Sequence, residues 1–66
     1  GIRSLTPKER TIFDLYLEGK TVPEILQIAE VKESTLKYHN SNIYSKLGVS
    51  SKKQLLNFAA LYAQEK

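Results

Sequence analysis

The sequence predicts an all-α fold of four helices, and three observations predict it. Two capping boxes of the form Thr-x-x-Glu, each with a proline within two residues of the cap, announce helix starts at Thr6 and Thr21. Apolar residues recur at helical spacing behind both, and again behind Glu33 and Ser51. No segment alternates apolar and polar residues for long enough to make a strand.

The first helix follows Leu5-Thr6-Pro7-Lys8-Glu9, in which Thr6 caps, Pro7 takes the first helical position and Glu9 closes the box. Ile12, Phe13, Tyr16 and Leu17 give it one apolar face, and Gly19 ends it at about residue 18. Thr21-Val22-Pro23-Glu24 repeats the start, and Ile25, Leu26, Ile28 and Ala29 form a short second helix ending near Ala29. A turn of three residues, Glu30-Val31-Lys32, follows, with Val31 plugging it against the core. The third helix runs from Glu33 to the stop at Gly48, with Leu36, Ile43 and Leu47 on its inner side. Ser34, Thr35, Lys37, Tyr38 and Ser41 fall toward the other side. Ser50 is expected to cap the fourth helix, from Ser51 to about Gln64. A short helix, a tight turn and a longer polar-faced helix make the helix-turn-helix arrangement.

A chain of 66 residues is one small domain, spanning 1–66, which buries only roughly 60% of its unfolded surface. It begins at Gly1 and not at Met, so the expectation is either a fragment of a longer chain or an altered first residue. There is no Cys, hence no disulfide and no thiolate metal site. No apolar run approaches the ~20 residues of a membrane helix, so no membrane contact is expected. Net charge is +3, unevenly spread. Residues 1–31 carry four basic against five acidic side chains, net −1, whereas residues 32–53 carry five lysines against Glu33 alone, net +4. The whole positive excess therefore lies in the third helix and just beyond it, the electrostatic footprint of a polyanion partner. An enzyme is not expected: no glycine-rich phosphate loop, paired carboxylates or metal set is present, and no cofactor is called for. His39, the one histidine, has no partner ligands for a metal and no adjacent nucleophile.

The residues then become recognisable as a combination. Leu5-Thr6-x-x-Glu9 with Ile12-Phe13, Gly19-Lys20-Thr21, Glu24-Ile25, Thr35-Leu36-Lys37-x-His39, Ile43 and Lys46-Leu47-Gly48-Val49 closely resemble the LuxR/GerE-type helix-turn-helix domain, over Leu5 to about Ala59. That resemblance implies a four-helix DNA-binding domain at the C-terminus of a bacterial, cytoplasmic transcription regulator. It implies a third helix in the major groove, a homodimer on DNA through the fourth helix, and an N-terminal sensor or receiver domain. Sigma-factor region 4 has a similar layout, but the Lys46-Leu47-Gly48-Val49 ending and His39 favour the LuxR type. A helical protein-interaction or dimerisation module with little DNA binding is the alternative from a different class.

The chain departs from the family pattern in four places. Leu26 and Ala29 exchange the usual small and large residues of the second helix, a swap that conserves volume and predicts compensated packing. Lys32 stands where the third helix is usually capped by Ser, Thr or Asn. Pro23 replaces a common cation, and Lys52 a common Arg, losing the bidentate fork.

For base contacts the candidates are Lys37, Tyr38 and Ser41. A Lys ammonium donates to guanine O6 and N7, the Tyr ring meets a thymine methyl while its hydroxyl reaches a phosphate, and Ser41 lies one turn beyond Lys37. For phosphate contacts they are Ser34 and Thr35 at the helix start, Thr21 and the backbone amide of Val22 by resemblance, and Lys46 and Lys52. His39 is expected on the inner side and backbone-facing edge of its helix. In the fourth helix Leu55, Phe58, Leu61 and Tyr62 belong to an apolar arc wider than one core stripe needs, and they are the expected dimer surface. The competing reading is that the small core uses most of this arc.

Overall fold

The computed structural model describes residues 2–65, and side chains as far as residue 64. A short 3-10 turn, Ile2–Ser4, precedes four helices: α1 Pro7–Leu17, α2 Val22–Ala29, α3 Glu33–Leu47 and α4 Lys52–Glu65. No strand occurs among the described residues.

Both capping boxes close as the sequence requires. Thr6 Oγ1 accepts from the Glu9 amide at 3.2 Å, and the Thr6 amide donates to Glu9 Oε1 at 3.0 Å. At the second start, Thr21 Oγ1 accepts from the Glu24 amide at 3.4 Å and the Thr21 amide donates to Glu24 Oε1 at 2.9 Å. Lys32 occupies the cap position of α3 with no side-chain cap bond, as expected. The fourth start differs from expectation. Ser51, not Ser50, supplies the cap: its Oγ accepts from the Gln54 amide at 3.2 Å. Gln54 Oε1 in turn accepts from the Ser50 amide at 2.7 Å. The reason lies in where the helix begins: with Lys52 as its first residue, Ser51 is the one that precedes it and stands three before the Gln54 amide.

Three helices end alike. After α1, Gly19 takes φ 80° and the Lys20 amide donates to the Leu15 carbonyl at 3.0 Å. After α3, Gly48 takes φ 73° and the Val49 amide donates to the Tyr44 carbonyl at 2.9 Å. These six-to-one bonds are the Schellman pattern. After α2 the same reversal is made by Glu30, at φ 57°, with the Val31 amide on the Leu26 carbonyl at 3.1 Å. A side chain in that left-handed region crowds its own backbone. Lys8 Nζ donates to the Ala29 carbonyl at 2.9 Å, so a cation from α1 satisfies the negative end of α2.

The core is contiguous: Ile12, Phe13, Leu15 and Tyr16 from α1, Ile25 and Ala29 from α2, Leu36 and Ile43 from α3, Leu55 and Ala59 from α4. Leu26 packs half-buried against it while Ala29 is buried. Helix α1 is the hub, packing against each of the other three. Phe13 at its centre meets Phe58 and Tyr62 of α4 edge-to-face, at 6.1 and 5.8 Å between ring centroids.

Candidate nucleic-acid interface

Burial of Leu36 and Ile43, with Leu47 half-buried, fixes how α3 rolls on the core. That roll turns Ser34, Lys37, Tyr38 and Ser41 outward, all exposed, and Tyr38 is 66% exposed. Thr35 lies at the margin, half-buried. Sequence reasoning missed Ser45, exposed one turn beyond Ser41, although the Lys37, Ser41, Ser45 spacing of four could have found it. Glu33, in the first turn where the helix dipole favours it, is the one acidic side chain of α3.

The remaining candidates divide. Lys52 is exposed in the first turn of α4, its ammonium 6.0 Å from the centroid of the Tyr16 ring. Thr21 is exposed, but its hydroxyl both caps Glu24 and donates to Glu24 Oε1 at 3.1 Å. Val22 is half-buried against the core, leaving its first-turn amide as the polar group it offers.

Lys46 has a partner within the fold that its sequence position did not announce. Its ammonium donates to Glu9 Oε1 at 2.7 Å, and that carboxylate is 3% exposed while the Lys46 side chain is 31% exposed. Burial alone would push the Glu9 pKa up. The hydrogen bonds from Lys46, from the Thr6 amide and from Asn42, with the Lys46 charge, outweigh it and hold the carboxyl below its usual range. Lys46 is thus the counterion of the α1 capping glutamate, with its side chain still partly exposed. A buried carboxylate without a cation would be costly.

His39 is half-buried with its ring edge-on to Tyr38 at 5.8 Å, and its Nδ1 is buried with no hydrogen-bond partner. No group of three or more metal-ligating side chains occurs among the described residues.

On α4 the expected dimer surface is corrected at one position. Leu55 is fully buried inside the protomer and cannot meet a partner. Phe58 and Tyr62 are half-buried against Phe13. Tyr62 is held further by Arg10, whose Nη2 donates to the hydroxyl at 3.3 Å while its guanidinium carbon lies 5.7 Å from the ring centroid. Leu61 is 61% exposed, and Leu56, a member of the same apolar arc outside the expected dimer surface, is exposed as well.

Comparison with known proteins agrees with this geometry. The family model for bacterial regulatory proteins of the luxR family matches residues 3–59. The chain is 40% identical over 50 residues to the spore germination protein GerE of Bacillus subtilis, covering 76% of this chain and 68% of GerE. It is 38% identical over 52 residues to the transcriptional activator protein YukR of Yersinia ruckeri, covering 79% of this chain and 23% of YukR. To the regulatory protein SdiA of Escherichia coli it is 32% identical over 57 residues, covering 86% of this chain and 24% of SdiA. It thus spans about two thirds of one of these relatives and about a quarter of the other two. No solved structure matches. Among the described residues no helix is long and apolar enough to cross a membrane.

Proposed function

The chain belongs to the luxR family of bacterial regulatory proteins, and from that premise we propose how it binds DNA: α3 enters the major groove of a duplex and reads bases with its outer side. The observation that carries this reading is the composition of that side. Ser34, Lys37, Tyr38, Ser41 and Ser45 are all exposed and include no acid, while the opposite side of the same helix is core. Donors, a cation and an aromatic ring suit base edges and phosphates alike. Lys37 and Tyr38 are the leading base contacts and Ser41 a third. The first turns of α2 and α3, through Thr21, the Val22 amide, Ser34 and Thr35, together with Lys52, address the phosphates.

The whole chain acts as one domain, the output unit of a cytoplasmic regulator whose sensor or receiver domain precedes it. Two copies pair on DNA through α4. With Leu55 inside the core, the dimer surface reduces to Leu61 with the exposed edges of Phe58 and Tyr62, and Leu56 lies on the same helix. The deciding experiment is duplex binding as a function of salt. Affinity should fall on a log–log plot with a slope close to −0.9 for each phosphate neutralised. Absence of binding at low salt, or binding indifferent to salt, overturns the assignment. Sedimentation equilibrium of the free chain and of its DNA complex tests the dimer: a complex holding one copy per operator refutes it.

A further inference from the structure

Two groups of α1 take hold of α3 beyond the apolar contacts. Glu9, near the start of α1, accepts from Lys46 at 2.7 Å. Tyr16, two turns further along the same face, is 4% exposed, and its hydroxyl donates to Asn40 Oδ1 at 3.1 Å. Asn40 is half-buried on the inner line of α3, with Leu36, Ile43 and Leu47. A polar pair therefore stands within the α1–α3 seam. The seam itself is thin: of the 15 residues of α3 only Leu36 and Ile43 are buried, whereas α1 buries five of its 11. Apolar contact is non-directional, and helix packing of this kind sets orientation only to within about 15–20°. At a side-chain end roughly 6 Å from the helix axis, a swing of about 15° is a displacement of roughly 1.5 Å. That is more than a hydrogen bond to a base edge tolerates. A hydrogen bond inside the seam has direction and admits far fewer orientations.

We propose that the Tyr16–Asn40 hydrogen bond is an orientation lock on α3. Tyr16 and Asn40 are then positioning residues for base readout: neither touches DNA, and together they set the angle at which Lys37, Tyr38 and Ser41 meet the base edges. This rests on α3 lying in the groove as described above. Asn40 adjoins Ser41 and follows Lys37 by less than one turn, so a swing at position 40 reaches the reading residues undiminished. Glu9 and Lys46 hold the last turn of α3, while Tyr16 and Asn40 hold its middle, beside the residues that read. The pair adds little to stability, because two apolar groups of similar shape in its place would hold the helices about as firmly. What it contributes is a defined geometry.

The test measures the affinity of the 66-residue chain for two duplexes, one selected from a randomised pool and one of random sequence, and reads their ratio. Tyr16→Phe/Asn40→Leu replaces both polar partners by apolar ones. Its melting temperature should match or exceed the parent's, yet the ratio should fall about tenfold, within what one good base contact is worth. The salt slope should not change, since no charge is lost. A purely structural pair predicts instead a ratio that follows stability. Tyr16→Phe alone keeps the ring in the core and should lower the ratio about threefold. Asn40→Asp keeps an acceptor for the Tyr16 hydroxyl and adds a negative charge, so it should weaken both duplexes alike with the ratio preserved. An unchanged ratio in folded Tyr16→Phe or in the folded double variant overturns the proposal, as does a ratio that falls in Asn40→Asp as far as in Tyr16→Phe. Lys37→Ala separates the premise. A ratio kept in Lys37→Ala means that α3 does not read bases through Lys37, and the lock falls with that reading; a ratio lost in Lys37→Ala but kept in the double variant refutes the lock alone.

Discussion

Replacing Lys46 by Met keeps most of the stem's volume and removes only the ammonium. Glu9, 2% exposed, would then keep the Thr6 amide at 3.0 Å and Asn42 but lose its cation. Stranding a fully buried charge costs about 3–5 kcal/mol. Here one partner is 31% exposed and two neutral donors remain, so a loss of about 2 kcal/mol is the better figure. A domain this small holds about 3–10 kcal/mol in total, and its melting temperature should drop by about 8–16 °C. Urea unfolding monitored by circular dichroism reads this directly. The pH dependence has a definite sign. In the parent chain the Glu9 pKa is lowered, so the stability it contributes is complete above the ordinary carboxylate range and is lost as pH falls through the lowered value. In Lys46→Met burial is no longer opposed by the ammonium, the carboxyl takes up its proton more readily, and the gap between variant and parent narrows in acid. Adding Glu9→Gln should restore part of the loss. A cost under about 0.5 kcal/mol, together with a DNA salt slope shallower by about one, would refute the reasoning and leave Lys46 to the phosphates.

Three further outcomes are expected. Glu30→Gly relieves the positive φ at the end of α2 and should raise unfolding free energy by about 1 kcal/mol after the greater freedom of the unfolded chain is counted; denaturant midpoints measure it, and a loss of stability contradicts it. Lys32→Ser supplies α3 with its missing cap and should add about 1 kcal/mol, seen as a higher midpoint at unchanged m-value. Lys37→Ala should cost about 1–3 kcal/mol of binding to a selected duplex and relax preference at one base pair. Equal losses on selected and random duplexes would instead make Lys37 a backbone contact.

What the sequence disclosed follows the range of the forces involved. Thr6 with Glu9, Thr21 with Glu24, and the glycines at 19 and 48 act within one turn of chain, so their roles could be read in order along it. The outward set on α3 was equally legible, because helical period alone decides which residues oppose Leu36 and Ile43. Pairings across the fold were not. Lys46 and Glu9 are 37 positions apart, and Tyr16 and Asn40 are 24 apart; nothing local to a surface-looking lysine or asparagine announces such a partner. The α4 surface failed for a related reason. An apolar arc does not reveal which of its members the first helix covers, and Phe13 and its neighbours decide that Leu55 is inside while Leu61 is not. Glu30 gave no warning because its left-handed turn is imposed by the short link to α3 and not by its own preference.

Helix α3 is anchored through one side and reads through the other, and the two sets of side chains do not overlap. Leu36, Ile43 and Leu47 determine where the helix sits, while positions 34, 37, 38, 41 and 45 face away from every buried atom of the core. Surface changes at such positions usually move stability by no more than about 0.5 kcal/mol. The alphabet of the reading head can therefore be rewritten without renegotiating the fold. A library randomised at those five places should consist largely of folded proteins, and a lineage that duplicates this domain can drift toward a new operator one residue at a time without passing through an unfolded ancestor.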